Sequence, residues 1–303
     1  MSQNKNKHNN AVTVNERLTH REEIPTDLHW IPKGEFKGEI YDTQTNRYYS
    51  ALAGKKYRPK HDEKHLDQGH YQGYRFAIEN YTEKYENVFD PTIGSGTAAI
   101  EAVNLGRNGY GIELEWPDMA IKNIKHQGTN QHWKIYPGNA KDILSIMPID
   151  FRCHLIINGT PYPTKGRDGG LSADGPLSIK DNKLDNKRNY QNPDSFGLLG
   201  YPSGGYEKFI RKMYKDCDRY LKPGGYLCLL IKDPVRDKKP FLLQEMLIDW
   251  IKKDNGYEDH SWFIHKHIPQ TFAMRAYKNK HPEVTIPLYQ IGVVLKKPND
   301  VVK

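Results

Sequence analysis

The 303-residue chain has only three cysteines, Cys153, Cys217 and Cys228. So few, so widely spaced, they exclude a disulfide framework and a thiolate zinc site. Buried, inert thiols in a reducing compartment are expected, and with them a cytoplasmic location. No run of apolar residues approaches the roughly 18–20 that a membrane span requires, so no membrane association is expected. The opening residues MSQNKNKHNN lack the apolar stretch of a secretory leader. No glycine-rich turn is followed by Gly-Lys-Ser or Gly-Lys-Thr, which excludes a phosphate-gripping P-loop. His265 and His267 alternate without a third ligand in view, and no metal is expected.

The charge is better supplied. Forty-five Lys and Arg against 37 Asp and Glu give a net charge of +8. A basic surface attracts polyanions, and neutralised phosphates supply most non-specific nucleic-acid affinity. Aromatic residues, led by 20 tyrosines, provide the bulk for a packed core.

Residues 1–35 carry Asn, Lys, His and Glu without periodicity and read as a polar arm. Residues 36–85 have no clear pattern beyond a helix within Tyr74–Tyr85, with Phe76, Ala77 and Tyr81 on one side. Order then begins. Strands are expected at Asn87–Asp90, Tyr110–Leu114, Trp133–Tyr136 and His154–Asn158. Helices at Thr97–Leu105, from Pro117 to about Lys125, and near Asp142–Met147 alternate with them. That alternation implies an α/β fold with a parallel sheet covered on both faces. Thr164–Gly205 is a long polar insertion, of a length that is usually functional or disordered. Beyond it follow a helix over Tyr206–Leu221, a turn at Pro223–Gly225, a buried strand at Tyr226–Lys232 and a helix over Phe241–Lys253. Strands His260–Ile268 and Ile286–Lys296 close the domain, and 297–303 form a tail. A single domain over 36–296 results, with a cofactor half at 86–150 and a catalytic half at 151–296.

The chemistry concentrates in DPTIGSGTAAIEA, Asp90–Ala102, between the first of these strands and its helix. Glycines there admit a ligand close to the backbone, and the helix N-terminus offers free N–H groups. Glu113 closes the next strand, where an acid in nucleotide-like sites takes hydrogen bonds from ribose hydroxyls. The spacing is G-x-G without the third glycine of the dinucleotide fingerprint.

The segment DPTIGSGTAAIEAVNLGRNGYGIEL resembles the S-adenosylmethionine motif of the DNA amino-methyltransferases, D-P-F-x-G-S-G-T followed by a strand-end acid. LIINGTPYP (Leu155–Pro163) and RYLKPGGYLCLLIKD (Arg219–Asp233) extend the resemblance to about residues 86–296. It implies a Rossmann-like methyltransferase fold, a seven-stranded, mostly parallel sheet with one reversed strand. It also implies S-adenosylmethionine as cofactor. Asp90, Gly94, Ser95, Gly96 and Thr97 would surround its methionine part, Glu113 its ribose, and Leu114, Asn139 and Ala140 its adenine. The activity implied is methylation of an exocyclic amine, N6 of adenine or N4 of cytosine, on a base flipped out of DNA.

The family's D/N/S-P-P-Y/F motif stands here as Gly159, Thr160, Pro161 and Tyr162. Pro161 and Tyr162 match the rigid turn and the stacking ring, but Gly159 has no side chain to accept the amine hydrogen. Asn158 or Thr160 are the candidates to replace it. Arg167, Lys183, Lys187, Arg188 and Tyr190 in the insertion suit contacts to phosphates and bases. DNA is the expected partner, RNA a less favoured one, and a homo-oligomer or partner subunit is compatible with the chain. Two other functions remain open: an RNA amine methyltransferase, and a non-catalytic nucleic-acid-binding subunit with a decayed site.

Overall fold

In the computed structural model the described residues are 39–42, 47–50, 71–161, 163, 199, 201, 205–231, 235–236, 239–240, 242–266 and 289–299. The chain divides into residues 1–37 and 38–303, and every described residue falls in the second unit. The polar arm, Tyr162 and most of the insertion lie outside the described residues.

Strands β1 (Glu39–Asp42) and β2 (Arg47–Ser50) come first, then helix α1 (Tyr71–Tyr81). The alternating part follows: β3 (Asn87–Asp90), α2 (Thr97–Asn104), β4 (Asn108–Glu113), α3 (Pro117–Lys125), β5 (Trp133–Pro137), a short 3₁₀ turn into α4 (Ile143–Ile146), and β6 (Cys153–Asn158). After the insertion come α5 (Tyr206–Asp218), β7 (Leu221–Ile231), a two-stranded ribbon of β8 (Val235–Arg236) and β9 (Lys239–Pro240), α6 (Leu243–Asn255), β10 (Glu258–Lys266) and β11 (Tyr289–Lys296).

The main sheet has the order β2-β1-β10-β11-β7-β6-β3-β4-β5. Strands β5, β4, β3, β6 and β7 are mutually parallel, while β11 runs antiparallel to β7 on one side and β10 on the other. The seven strands from β5 to β10 therefore form the expected Rossmann-like methyltransferase sheet, mostly parallel with β11 reversed. The β1–β2 hairpin adds two strands at the β10 edge, antiparallel in both pairings. Nothing in the sequence pattern pointed to them.

Alternation along β7 explains why YLCLLI is apolar throughout. Leu227, Leu229 and Ile231 join one core cluster with α5 and α6. Cys228 and Leu230 join the other with α1 and α2. A strand buried on both faces has no polar side to spare. The turn expected at Pro223–Gly225 is taken up within β7: pairing shifts from Cys153–Leu221 to Leu155–Tyr226, with Gly224 at φ +72° in the displaced loop.

Helix α1 buries Tyr74, Ala77, Ile78 and Tyr81, the spacing of one helical face. It is tied to α2 at two places. The Arg75 guanidinium reaches the buried Glu101 carboxylate at 3.3 Å. Arg107, just past α2, donates to the Thr82 carbonyl at 2.6 Å and to the Leu105 carbonyl at 2.7 Å. All three cysteines are buried free thiols, each pushed upward in pKa by burial. Among the described residues no helix is long and apolar enough to cross a membrane.

Candidate active site

The C-terminal ends of β3, β4 and β6 lie side by side, and the loops leaving them carry the residues singled out from sequence. From Asp90, at the end of β3, the chain turns through Ile93 and Gly94 into α2. Gly94 (φ +56°) and Gly96 (φ +96°) adopt left-handed conformations that favour glycine. The turn is pinned from several sides. The Ile93 N–H donates to the Ile112 carbonyl at 3.0 Å. The Ser95 carbonyl accepts from the buried Asn123 amide at 2.8 Å. A Cβ on Gly111 would come within 2.5 Å of Ile93, so glycine in β4 is what lets the turn settle onto the sheet.

Glu113 is the second pin. Its Oε2 accepts from the Gly94 N–H at 2.9 Å, and its Oε1 from the Glu115 N–H at 2.9 Å and the Trp116 N–H at 3.1 Å. One carboxylate thus organises the glycine turn and the entrance to α3. With three of about four acceptor positions used, one remains. Leu114 beside it is half-buried. The end of β5 is held here too, by Gly138 N–H donating to the Glu113 carbonyl at 2.9 Å. The next residues, Asn139 and Ala140, are buried, and the Asn139 side chain accepts from the Lys141 N–H to start the 3₁₀ turn.

Asp90 is 2% exposed. Its Oδ1 accepts from the Thr92 N–H at 3.0 Å and the Asn158 amide at 2.7 Å, while Oδ2 accepts none among the described residues. Burial raises its pKa from 3.8 to about 7, against the lowering effect of these two hydrogen bonds; Glu113 adds a smaller upward push. Among the described residues no lysine or arginine pairs with either Asp90 or Glu113. Among the described residues, Asp90 Oδ2 and one position of Glu113 are thus the acceptors the two carboxylates leave open.

Asn158, at the end of β6, is fully buried. Its amide N–H groups donate to Asp90 Oδ1 and Thr92 Oγ1, each at 2.7 Å. Its oxygen accepts from the Thr160 hydroxyl at 2.9 Å and the Tyr214 hydroxyl at 2.7 Å. Those two hydroxyls also meet each other at 2.5 Å. Both amide hydrogens of Asn158 are therefore committed inside the protein, and its oxygen and the two hydroxyls share two protons among three contacts. The side chain ties the glycine turn, the β6 turn and α5 together. Thr160 is 1% exposed, in the same network. The Pro161 carbonyl accepts from the Tyr206 hydroxyl at 2.7 Å, a second brace from α5.

Sequence reasoning did not find Thr92, Tyr206 and Tyr214. The two tyrosines lie on α5, which the sequence marks only as an amphipathic helix with Phe209, Ile210, Met213, Cys217 and Tyr220 at helical spacing. The available signal was Asn158 itself, since a buried amide at a strand end needs partners. Tyr162, Arg167, Lys183, Lys187, Arg188 and Tyr190 lie outside the described residues. Among the described residues there is no group of three His, Cys, Asp or Glu side chains placed to hold a metal ion.

A family model described as DNA methylase matches residues 2–121, which include the glycine turn and Glu113 and end before β6. The matched stretch covers less than half of the chain, and its description agrees with the resemblance carried by the Asp90–Leu114 segment. S-adenosylmethionine carries a sulfonium, an amino group and ribose hydroxyls, which suit Asp90 Oδ2 and the one remaining acceptor position of Glu113. No curated protein matches the chain. Among solved structures it is similar to TrmN from Thermus thermophilus (15% identity, TM-score 0.44, over 75% of this chain and 48% of that one). It is also similar to Aeropyrum pernix fibrillarin in complex with S-adenosyl-L-methionine (11%, 0.41, 74% and 76%). A third is a putative rRNA-methylase from Clostridium thermocellum (10%, 0.43, 77% and 99%). The chain thus spans about half the length of the Thermus protein. Its fold assignment rests on strand order and pairing, not on these likenesses.

Proposed function

We propose that the protein is an S-adenosylmethionine-dependent methyltransferase that acts on an exocyclic amine of a flipped-out DNA base, N6 of adenine or N4 of cytosine. The observation that carries this reading is the pair of buried carboxylates, Asp90 and Glu113, around a glycine turn, with no lysine or arginine paired to either among the described residues. The cofactor supplies an electrophilic methyl group on a cationic sulfur. The chain's residues bind and orient. Asp90 and the Gly94–Thr97 backbone take the amino-acid end, Glu113 accepts from the ribose hydroxyls, and Leu114, Asn139 and Ala140 border the adenine.

Asn158 sets the distance between the cofactor turn and the β6 turn, because it bonds to both. Tyr162 provides the face on which the extruded base stacks. Arg167, Lys183, Lys187, Arg188 and Tyr190 contact the DNA backbone and bases, in keeping with the net charge of +8. DNA is the partner on this reading, alone or with a second copy or partner subunit, and the protein works in the cytoplasm.

Calorimetry with S-adenosylmethionine, followed by mass spectrometry of nucleosides from DNA incubated with protein and cofactor, tests this. Methylated adenine or cytosine is expected. Gly159, lacking a side chain where relatives have an acceptor, favours one rival: a subunit that binds cofactor and nucleic acid without transfer. Cofactor binding without methylated base in DNA or RNA would establish that rival, and methylated RNA alone would shift the substrate.

A further inference from the structure

Position 159 lacks a side chain, yet the space beside it is filled. A Cβ built on Gly159 would lie 2.6 Å from the hydroxyl oxygen of Tyr74 and 3.8 Å from the ring carbon bearing it. Real Cβ atoms essentially never sit that close to another oxygen, so a side chain at 159 would force the Tyr74 hydroxyl to shift. An Asp or Asn side chain places its oxygen roughly 2.4 Å from its own Cβ, by ordinary bond lengths. The phenol oxygen therefore stands at about the radius from residue 159 where such an acceptor atom would stand.

We infer that Tyr74 supplies the acceptor missing from the β6 turn, its hydroxyl oxygen taking a hydrogen of the target amine. This rests on the amino-methyltransferase reading given above. A phenol carries two lone pairs beside its single proton, so it can accept from an amine hydrogen. The polar groups at the end of β6 bond among themselves: the Asn158 amide donates to Asp90 and Thr92, and its oxygen shares the protons of the Thr160 and Tyr214 hydroxyls. The mounting of Tyr74 is rigid. Its ring is 5% exposed, and α1 is fastened to α2 by Arg75–Glu101 and to the segment after α2 by Arg107–Thr82. The acceptor is thus delivered by a helix encoded ahead of the cofactor motif instead of by the catalytic turn.

The test is a paired substitution. Tyr74→Phe removes the oxygen and keeps the ring, leaving the 3.8 Å carbon contact that a Cβ at 159 tolerates. Methyl transfer to DNA should fall at least tenfold while S-adenosylmethionine affinity stays within about twofold, since the phenol touches the amine and not the cofactor. Gly159→Asn alone should lower the melting temperature through the clash. Gly159→Asn with Tyr74→Phe should regain the melting temperature and recover part of the lost turnover. A Tyr74→Phe variant that turns over DNA like an active wild type overturns the assignment and leaves the methyltransferase reading standing. So does a double variant that melts normally but is no faster than Tyr74→Phe. A wild type that binds cofactor and methylates nothing overturns both.

Discussion

Replacing Asp90 by Asn should make the protein more stable and unable to hold its cofactor, and the size of the first effect follows from the burial of the carboxyl. Folding raises its pKa from 3.8 to about 7, chiefly by desolvation. Below pH 4 the group is protonated in both folded and unfolded chains and contributes nothing to the difference. Between about pH 4 and 7 the folded chain binds a proton that the unfolded chain has lost, so stability falls as pH rises and levels off above 7. The interval is about three pH decades at about 1.4 kcal/mol each, or about 4 kcal/mol at pH 8. Asparagine keeps an oxygen to accept from the Thr92 N–H and the Asn158 amide, and it carries no charge. Urea unfolding at pH 4.5, 6 and 8 should show the variant gaining on the wild type with pH, toward that figure at pH 8. Glu101, also raised to about 7 by burial against the opposing effect of Arg75, gives both proteins a common residual slope. Calorimetry should show wild-type affinity for S-adenosylmethionine rising through pH 7 as Asp90 ionises to meet a cation, and little binding by the variant at any pH. Equal or lower stability of Asp90→Asn at pH 8, with an unchanged pH slope, would refute the argument that the site stores an unpaired buried carboxylate.

Glu113→Ala strips three backbone donors of a charged acceptor, each such bond being worth about 1.5–3 kcal/mol, so cofactor affinity should fall about ten- to hundredfold and the melting temperature should drop; unaltered binding by calorimetry would remove Glu113 from the site. Asn158→Ala breaks at least three buried hydrogen bonds and should cost more than about 2 kcal/mol in urea unfolding, with cofactor binding and methyl transfer declining together. If turnover alone fell, with melting and binding intact, Asn158 would itself be the amine acceptor and Tyr74 would not. Replacing Lys183, Lys187 and Arg188 together should flatten the salt dependence of DNA binding by about 2 to 3 in log–log slope; an unchanged slope would leave the insertion without a role in binding.

The β3–α2–β4–α3 region was legible because its signals are local. Pro117 opens α3, Gly96 precedes α2, and Asp90 and Glu113 each end a strand. The sheet's reversed strand came from family likeness, since no periodicity in residues 289–296 distinguishes a parallel from an antiparallel partner. The β1–β2 hairpin was illegible for a different reason: each strand has four residues, and β1 pairs with β10 more than 200 positions away. The site divides the same way. Its carboxylates could be read from spacing, whereas Tyr74, Tyr206 and Tyr214 become site residues only through contacts between elements far apart in sequence. Each of the three lies on a helix face that looks like ordinary core. Gly159, taken alone, reads as a gap; the phenol beside it is visible only in three dimensions.

The place of β11 has a consequence for how the molecule is made. It is the last of the described strands in the chain, yet it lies inside the sheet, with β7 on one flank and β10, β1 and β2 beyond the other. During synthesis the five parallel strands can assemble as they leave the ribosome, but β10 has no partner on its β7 side until β11 emerges. The hairpin made first therefore docks onto a platform completed last, a non-local pairing of the kind that slows folding. Until then, the edge of β7 presents unpaired backbone groups open to association with other chains. A nascent chain stalled before residue 289 would carry the whole cofactor turn and still expose that edge, which marks the interval in which a chaperone would be needed.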